Sequence, residues 1–323
     1  MKILVVGGAG FLGSNLVRHC LTMNSRQVTV MDSLDPLLHS TTQNLQDVWS
    51  QIRFVRGDIR NETLLAEIVQ DQDIIFHCAA QTSHALSVQY PLLDAEINCL
   101  GSLKLLEAIR LLNPKAVVVY SSSSTVIGKK LNEIADEEHP ERPLEIYSAN
   151  KGVAEKYFRI YHTHYDLKTV VLRFANLYGP FGKGYPEFGF INYFIHLAWM
   201  NQEIKIYGEG DQTRNVLFID DATDILWRAA NEPNLVGETY LATAPQHLTV
   251  REIAETIVNV FQRGKIAHVQ WPEDRRRIEI GHVNLSSDRL RAITNWEPRY
   301  DLISGLQRTR TVLEQNGSMR HKS

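Results

Sequence analysis

Apolar positions follow two rhythms through the first half of the chain. Short runs rich in Val and Ile lie at 3–6, 27–31, 53–56, 73–77, 116–121 and 169–174. Such unbroken runs predict strands buried on both faces. Between them, apolar residues recur at helical spacing over 61–69, 92–111 and 149–165. Strand and helix therefore alternate. That order predicts an α/β fold, with parallel strands joined by right-handed crossovers and helices on both faces. In such sheets a ligand sits at the carboxyl ends of the strands.

After about residue 178 the rhythm breaks. Gly179-Pro180, Gly182, Gly184, Pro186 and Gly189 form a loop-rich passage. Beyond it the pattern predicts a helix near 191–200, a strand pair at 204–208 and 216–219, and helices near 222–230, 250–261 and 302–314. The expected organisation is a sheet domain over 1–178 and a smaller, mostly helical lobe over 179–315 that closes on it. The chain is expected to cross between the lobes, and 316–323 reads as a flexible tail.

Composition narrows the classes. The 323 residues suffice for one large unit or two unequal lobes, and a net charge of −3 argues against a nucleic-acid surface. No apolar run is long enough to span a membrane. A strand beginning at residue 3 is read as leaving no room for a signal peptide. Cys20, Cys78 and Cys99 are widely separated. They read as reduced thiols of a cytoplasmic protein, with no metal site.

The most specific local chemistry follows the first strand. Gly7-x-x-Gly10-x-x-Gly13, with Phe11 and Leu12 inside it, opens a helix. A strand, a glycine turn and a helix N-terminus set backbone N–H groups and the positive end of a helix dipole against a phosphate. Gly7 serves the tight turn, Gly10 the approach of a pyrophosphate, and Gly13 close helix packing. Asp32 ends the second strand about 20 residues on, where a carboxylate accepts from ribose hydroxyls and repels a 2′-phosphate. With no Lys or Arg just after it, the expected cofactor is NAD rather than NADP. The plainer reading of Asp32 is a solvated turn residue. Together these features point to a Rossmann-type doubly wound sheet.

Tyr147-Ser148-Ala149-Asn150-Lys151 puts a phenol and an ammonium on one face of a helix start. An adjacent ammonium favours phenolate, so Lys151 is expected to lower the pKa of Tyr147. On its own such a pair is common on helix surfaces. Here it follows the serine cluster Ser121–Ser124. In order along the chain also lie Asp58-Ile59-Arg60, His77-Cys78-Ala79-Ala80, Asn98 and Leu172-Arg173-Phe174-Ala175-Asn176-Leu177-Tyr178-Gly179-Pro180. Over residues 1 to 312 this set resembles the extended short-chain dehydrogenase/reductase superfamily, in its NAD-dependent nucleotide-sugar epimerase/dehydratase branch.

The resemblance implies roles. Tyr147 is the acid/base, Lys151 tunes it and holds the nicotinamide ribose, and Ser123 bonds the reacting sugar hydroxyl. Asp58 and Ile59 flank the adenine, while Ala79 and Ala80 line the cofactor. Asn98 is either a cofactor contact or a structural polar residue. Asn176, Arg214 and Arg276 meet the substrate diphosphate or ribose, with Arg275 or Arg277 as replacements for Arg276, and Tyr207 stacks on the nucleobase. A solvated arginine run is the plainer reading of 275–277. Val283 matches a position that limits room beside the sugar. Ile127 departs from the family's usual Tyr.

Dehydratases of this family carry Asp and Glu directly after the Ser/Thr, and decarboxylases a Ser/Thr-x-Glu pattern. Ser124 and Thr125 offer no carboxylate here. The pattern resembles the 4-epimerases, closest to UDP-glucose 4-epimerase-like proteins. A nucleotide-sugar substrate, with a UDP-sugar favoured, and a homodimer are implied. CDP-sugar 2-epimerisation is the second expectation, suggested by Asp94–Asn98 and Pro186–Ile191. Dehydratase, decarboxylase and keto-sugar reductase follow. A non-catalytic NAD-binding protein is the reading from another class, disfavoured because Tyr147 and Lys151 are both present.

Overall fold

The computed structural model describes the chain except residues 24, 130–132, 274–275, 277–278 and 321–323, and the side chains of 316–320 are likewise not described. Its centre is a sheet of seven strands: β1 (Lys2–Val6), β2 (Gln27–Asp32), β3 (Ile52–Arg56), β4 (Ile74–His77), β5 (Val117–Ser123), β6 (Lys168–Phe174) and β10 (Thr239–Ala242). They lie in the order β3-β2-β1-β4-β5-β6-β10, and every neighbouring pair is parallel. Helices α1 (Phe11–Thr22), α2 (Glu62–Ile68), α3 (His84–Gln89), α4 (Pro91–Asp94), α5 (Gly101–Leu112), α6 (Ile146–Tyr165), α7 (Phe190–Trp199), α8 (Ile219–Asn231) and α9 (Val250–Phe261) surround it.

The continuous apolar runs follow from two-sided burial. Ile3 and Val5 join one core, with Leu16 of α1 and Ile225 of α8. Leu4 and Val6 join the other, with Leu65 of α2, Leu105 of α5 and Phe158 of α6. All four β1 residues are fully buried. Each such side chain is worth about 1.5–3 kcal/mol relative to exposure.

Two expectations are corrected. The anticipated strand pair does not form. β8 (Glu203–Tyr207) pairs in parallel with β12 (Lys265–Val269), and β9 (Thr213–Phe218) lies between β7 (Asn176–Tyr178) and β11 (His247–Thr249). Gly208 and Gly210 resemble hairpin punctuation, yet each strand finds its partners elsewhere along the chain. The single helix expected over 92–111 is broken by one π turn, Ala95–Leu100, between α4 and α5. This turn carries Asn98, whose amide bonds the backbone of Gln81. Beyond residue 178, β10 rejoins the main sheet and α8 packs on α1, so the chain passes between lobes more than once.

A buried charge network braces α6, the helix that carries Tyr147 and Lys151. Arg173 of β6 contacts Glu155 through Nε at 3.0 Å and Nη2 at 2.6 Å, and reaches Glu141 at 2.9 Å. Ser122 of β5 donates to the same Glu155. Breaking a buried pair by removing one partner strands the other charge. Arg173→Met should therefore lose about 3–5 kcal/mol of stability in denaturant unfolding. A loss below about 1 kcal/mol would place the brace among weak surface pairs.

Candidate active site

The carboxyl ends of β1, β2, β4 and β5 open into a cavity of about 880 Å³ that continues under the second lobe. At its cofactor end the glycine turn is shaped by backbone contact. Gly7 has φ +82°, and a Cβ there would lie 2.4 Å from Ala79 N. A Cβ on Gly13 would lie 2.2 Å from Gly7 O. On Gly10 a Cβ would meet only Gly7 O, at 3.4 Å, so its other side is open to the cavity. Helix α1 starts at Phe11 with no side chain capping its first turn. This bare N-terminus and open glycine fit the pyrophosphate of a dinucleotide.

Asp32 is buried at the end of β2. Its Oδ2 accepts from Ala9 N at 3.0 Å, and its Oδ1 from Leu34 N and Ser40 Oγ, both at 2.9 Å. Asp58 is gripped by Arg60 at 2.9 and 2.7 Å. That fork holds its carboxyl below the usual range. Gly7, Gly10, Phe11, Leu12, Gly13, Asp32, Asp58, Ile59, Ala79 and Ala80 all line the cavity. NAD fits these residues: the glycine turn would receive its pyrophosphate, and Asp32 its adenosine ribose.

Ser123, Tyr147 and Lys151 line the cavity as well. Ser123 Oγ is 2.9 Å from Thr125 Oγ1 and accepts from Thr125 N at 3.3 Å. Burial pushes the Tyr147 phenol well up, and Glu145 and Asp94 add to the rise, while the opposing pull comes from Ser123. The Lys151 ammonium is anchored on β5. It donates to Ser121 O at 2.7 Å and lies 4.4 Å from the centre of the Tyr120 ring. Burial brings the Lys151 ammonium down to about 8.

The other end of the cavity is lined by residues that follow β6 in the chain. Asn176 donates to Asn215 O at 3.0 Å and lines the cavity. The Tyr207 ring stands 5.3 Å from Trp271, and both line the cavity. Arg214 also faces it, bonded to Glu279 Oε1 and Gly281 O at 2.7 Å. Val283 lies on the same wall.

Two expected residues stand apart. Asn98 does not line the cavity: its Oδ1 accepts from Gln81 N at 3.0 Å and its Nδ2 donates to Gln81 O at 2.9 Å. Its role here is structural, because both ends of its amide are occupied by backbone. Arg276 is exposed and outside the cavity lining. Arg275 and Arg277 lie outside the described residues.

Sequence reasoning missed several groups. His84 lines the cavity, with its ring edge-on to Tyr147 at 5.1 Å and its Nδ1 against Glu145. Asp94 is fully buried and accepts from Gln81 Nε2 at 2.8 Å and Asn150 Nδ2 at 2.7 Å, tying the start of α6 to the loop after β4. Trp271 and Glu279 fall in a stretch with no periodic signal. A His four residues after Ala80 was the one visible cue.

The fold and the site define an NAD-binding enzyme of the extended short-chain dehydrogenase/reductase type. A family model described as NAD dependent epimerase/dehydratase family matches residues 3–242, and the chain belongs to that family. A putative UDP-glucose 4-epimerase of Methanocaldococcus jannaschii is 31% identical over 97% of this chain and 99% of its own length. The CDP-paratose 2-epimerase of Salmonella typhi is 30% identical, covering 95% of this chain and 98% of its own. Among solved structures, UDP-glucose 4-epimerase from Thermotoga maritima with UDP-glucose superposes with a TM-score of 0.89 at 26% identity, covering 98% of this chain and 99% of that one.

The shift on Lys151 sets a stability test. Its folded-state value is depressed below 10.5, so its contribution is fully present above about pH 10.5 and is lost as pH falls through about 8. Lys151→Met should raise Tm at pH 7, and the gain should shrink between pH 8 and 10. Thermal unfolding across that range checks it; a gain that does not depend on pH would contradict the burial cost.

Proposed function

We propose that the protein is an NAD-dependent nucleotide-sugar epimerase acting at C4 of a UDP-hexose, UDP-N-acetylhexosamine or UDP-uronate. The observation that carries this reading is the hydroxyl-only surroundings of Ser123. Ser124 and Thr125 line the cavity beside it where a dehydratase of this family needs carboxylates. The two carboxylates that bear on Tyr147 are both engaged, Glu145 by His84 and by Ser148 Oγ at 2.5 Å, and Asp94 by Gln81 and Asn150.

Ser123 would hold the reacting hydroxyl, and Tyr147 would take and return its proton. NAD bound at the glycine turn supplies a hydride acceptor and, when oxidised, a positive charge near the phenol. Lys151 would hold the nicotinamide ribose. Asn176, Arg214 and the Tyr207–Trp271 pair would hold the nucleotide and diphosphate, leaving the sugar free to present either face. Val283 would limit the room for its substituents.

A second reading is 2-epimerisation of a CDP-sugar. It is favoured by the CDP-paratose 2-epimerase relative and by the Pro186–Phe188 turn on the cavity wall. A homodimer and a cytoplasmic location belong to the same proposal. Leu92, Leu100, Val153 and Ile160 expose apolar surface on α4, the π turn and α6, which pack together. The three cysteines are free thiols. Among the described residues no helix is long and apolar enough to cross a membrane.

Two measurements test the reaction. A UDP-sugar deuterated at C4 should invert with its label retained, with no solvent deuterium entering the sugar and no net NADH formed. Solvent label at C5, or loss of water or carbon dioxide, would remove the epimerase reading; inversion at C2 would promote the second. Separately, Tyr147→Phe should cost roughly 10²–10⁴ in rate while retaining NAD. Near-normal turnover would remove Tyr147 from its role.

A further inference from the structure

Lys183 lies in the loop-rich passage after β7, far from the glycine turn in sequence, and its ammonium is enclosed in the cofactor half of the cavity. Four contacts hold the region. Lys183 Nζ donates to Leu38 O, in the turn that follows β2. The same nitrogen lies 4.1 Å from the centre of the Phe188 ring. His39 stacks on Tyr185 at 4.2 Å and meets Phe188 edge-on at 5.4 Å. The second lobe thereby grips the loop that carries Ser40, itself a donor to Asp32.

An ammonium has three N–H donors. Leu38 O is the one hydrogen-bond acceptor of Lys183 among the described residues. Asp32 lines the same cavity, and its negative charge favours the ammonium against the burial that lowers it. A carboxylate offers about four acceptor positions. Asp32 uses three of them on Ala9 N, Leu34 N and Ser40 Oγ. Lys183 and Asp32 line the same cavity, which therefore presents a spare acceptor and spare donors to one enclosed space, as a vicinal diol requires.

We propose that Lys183 is a cofactor-binding and cofactor-selecting residue: with Asp32 it reads the adenosine ribose hydroxyls of NAD. Asp32 accepts from the diol and Lys183 donates to it. Asp32 also cancels the charge that would otherwise draw in a 2′-phosphate. Selection of NAD then rests on a balance between two opposite charges, and the cation lies 151 positions beyond Asp32 in the chain, 183 against 32. The inference concerns cofactor binding alone and does not depend on which sugar carbon reacts.

The test uses the cofactor-stripped full-length protein without sugar, titrated calorimetrically with NAD and NADP. Lys183→Met should weaken NAD at least tenfold and speed its dissociation. Lys183→Gln, which can still donate to Leu38 O, should weaken it as well. Asp32→Ser should shift preference towards NADP, and Asp32→Ser/Lys183→Met should lose that gain. Circular dichroism and Tm of the stripped variants check that they fold. Wild-type NAD affinity in both Lys183 variants would overturn the proposal. So would loss in Lys183→Met with none in Lys183→Gln, which would assign the effect to the Leu38 clasp. Undiminished NADP binding in the double variant would overturn the selecting role.

Discussion

The site depends on a place where no side chain fits. The turn after β1 passes so close to Ala79 that a Cβ on Gly7 would sit 2.4 Å from its nitrogen, and α1 packs so near that one on Gly13 would reach 2.2 Å from Gly7 O. These are backbone contacts, with no flexible side chain to yield. They draw the carboxyl ends of β1 and β4 together and aim the bare N-terminus of α1 into the gap. Asp32 secures the same turn by accepting from Ala9 N. The cofactor end of the cavity follows from that closeness, and the remaining elements are arranged around it.

The reacting groups sit under a different constraint, which is dryness. Tyr147 and Lys151 are both buried at the start of α6, and burial raises the phenol and lowers the ammonium. Each shift disfavours the charged form. The helix is held at this cost by groups with no chemical part to play: Arg173 and Glu155 brace it to β6, and Asp94 bonds Asn150 in its first turn. Asp94 and Glu145 further oppose phenolate. The phenol is thus held on its neutral side, while the ammonium at about 8 is brought close to the point where it would lose its proton.

Much of this was legible in the sequence, for physical reasons. Two-sided burial leaves continuous apolar runs, and the six strands read from them all stand in the sheet. The glycine spacing records a backbone contact, and Tyr147 and Lys151 share a helix face by their four-residue offset. The illegible parts depend on partners distant in the chain. β8 finds β12 about sixty residues on, with Glu203 opposite Lys265, and nothing local announces it. β10 has only four residues, too short to carry a clear period. Asn98 matched a family position, but its side chain is consumed by Gln81. The anchoring of the Lys151 ammonium on Ser121 O was also illegible, because spacing along a helix does not say where an ammonium finds its acceptor.

The same contrast separates the two halves of the cavity. The cofactor half is assembled from the ends of adjacent parallel strands of one sheet. The other half gathers Asn176, Tyr207, Arg214, Trp271 and Glu279 from segments far apart in the chain. Its main charge, Arg214, is already paired with Glu279, so a diphosphate must compete with a carboxylate for the guanidinium. A bidentate anion of higher charge can win that exchange, whereas a neutral sugar cannot. The two halves of the cavity thus differ in construction: one rests on strand ends and close backbone contact, the other on paired side chains brought together from distant segments.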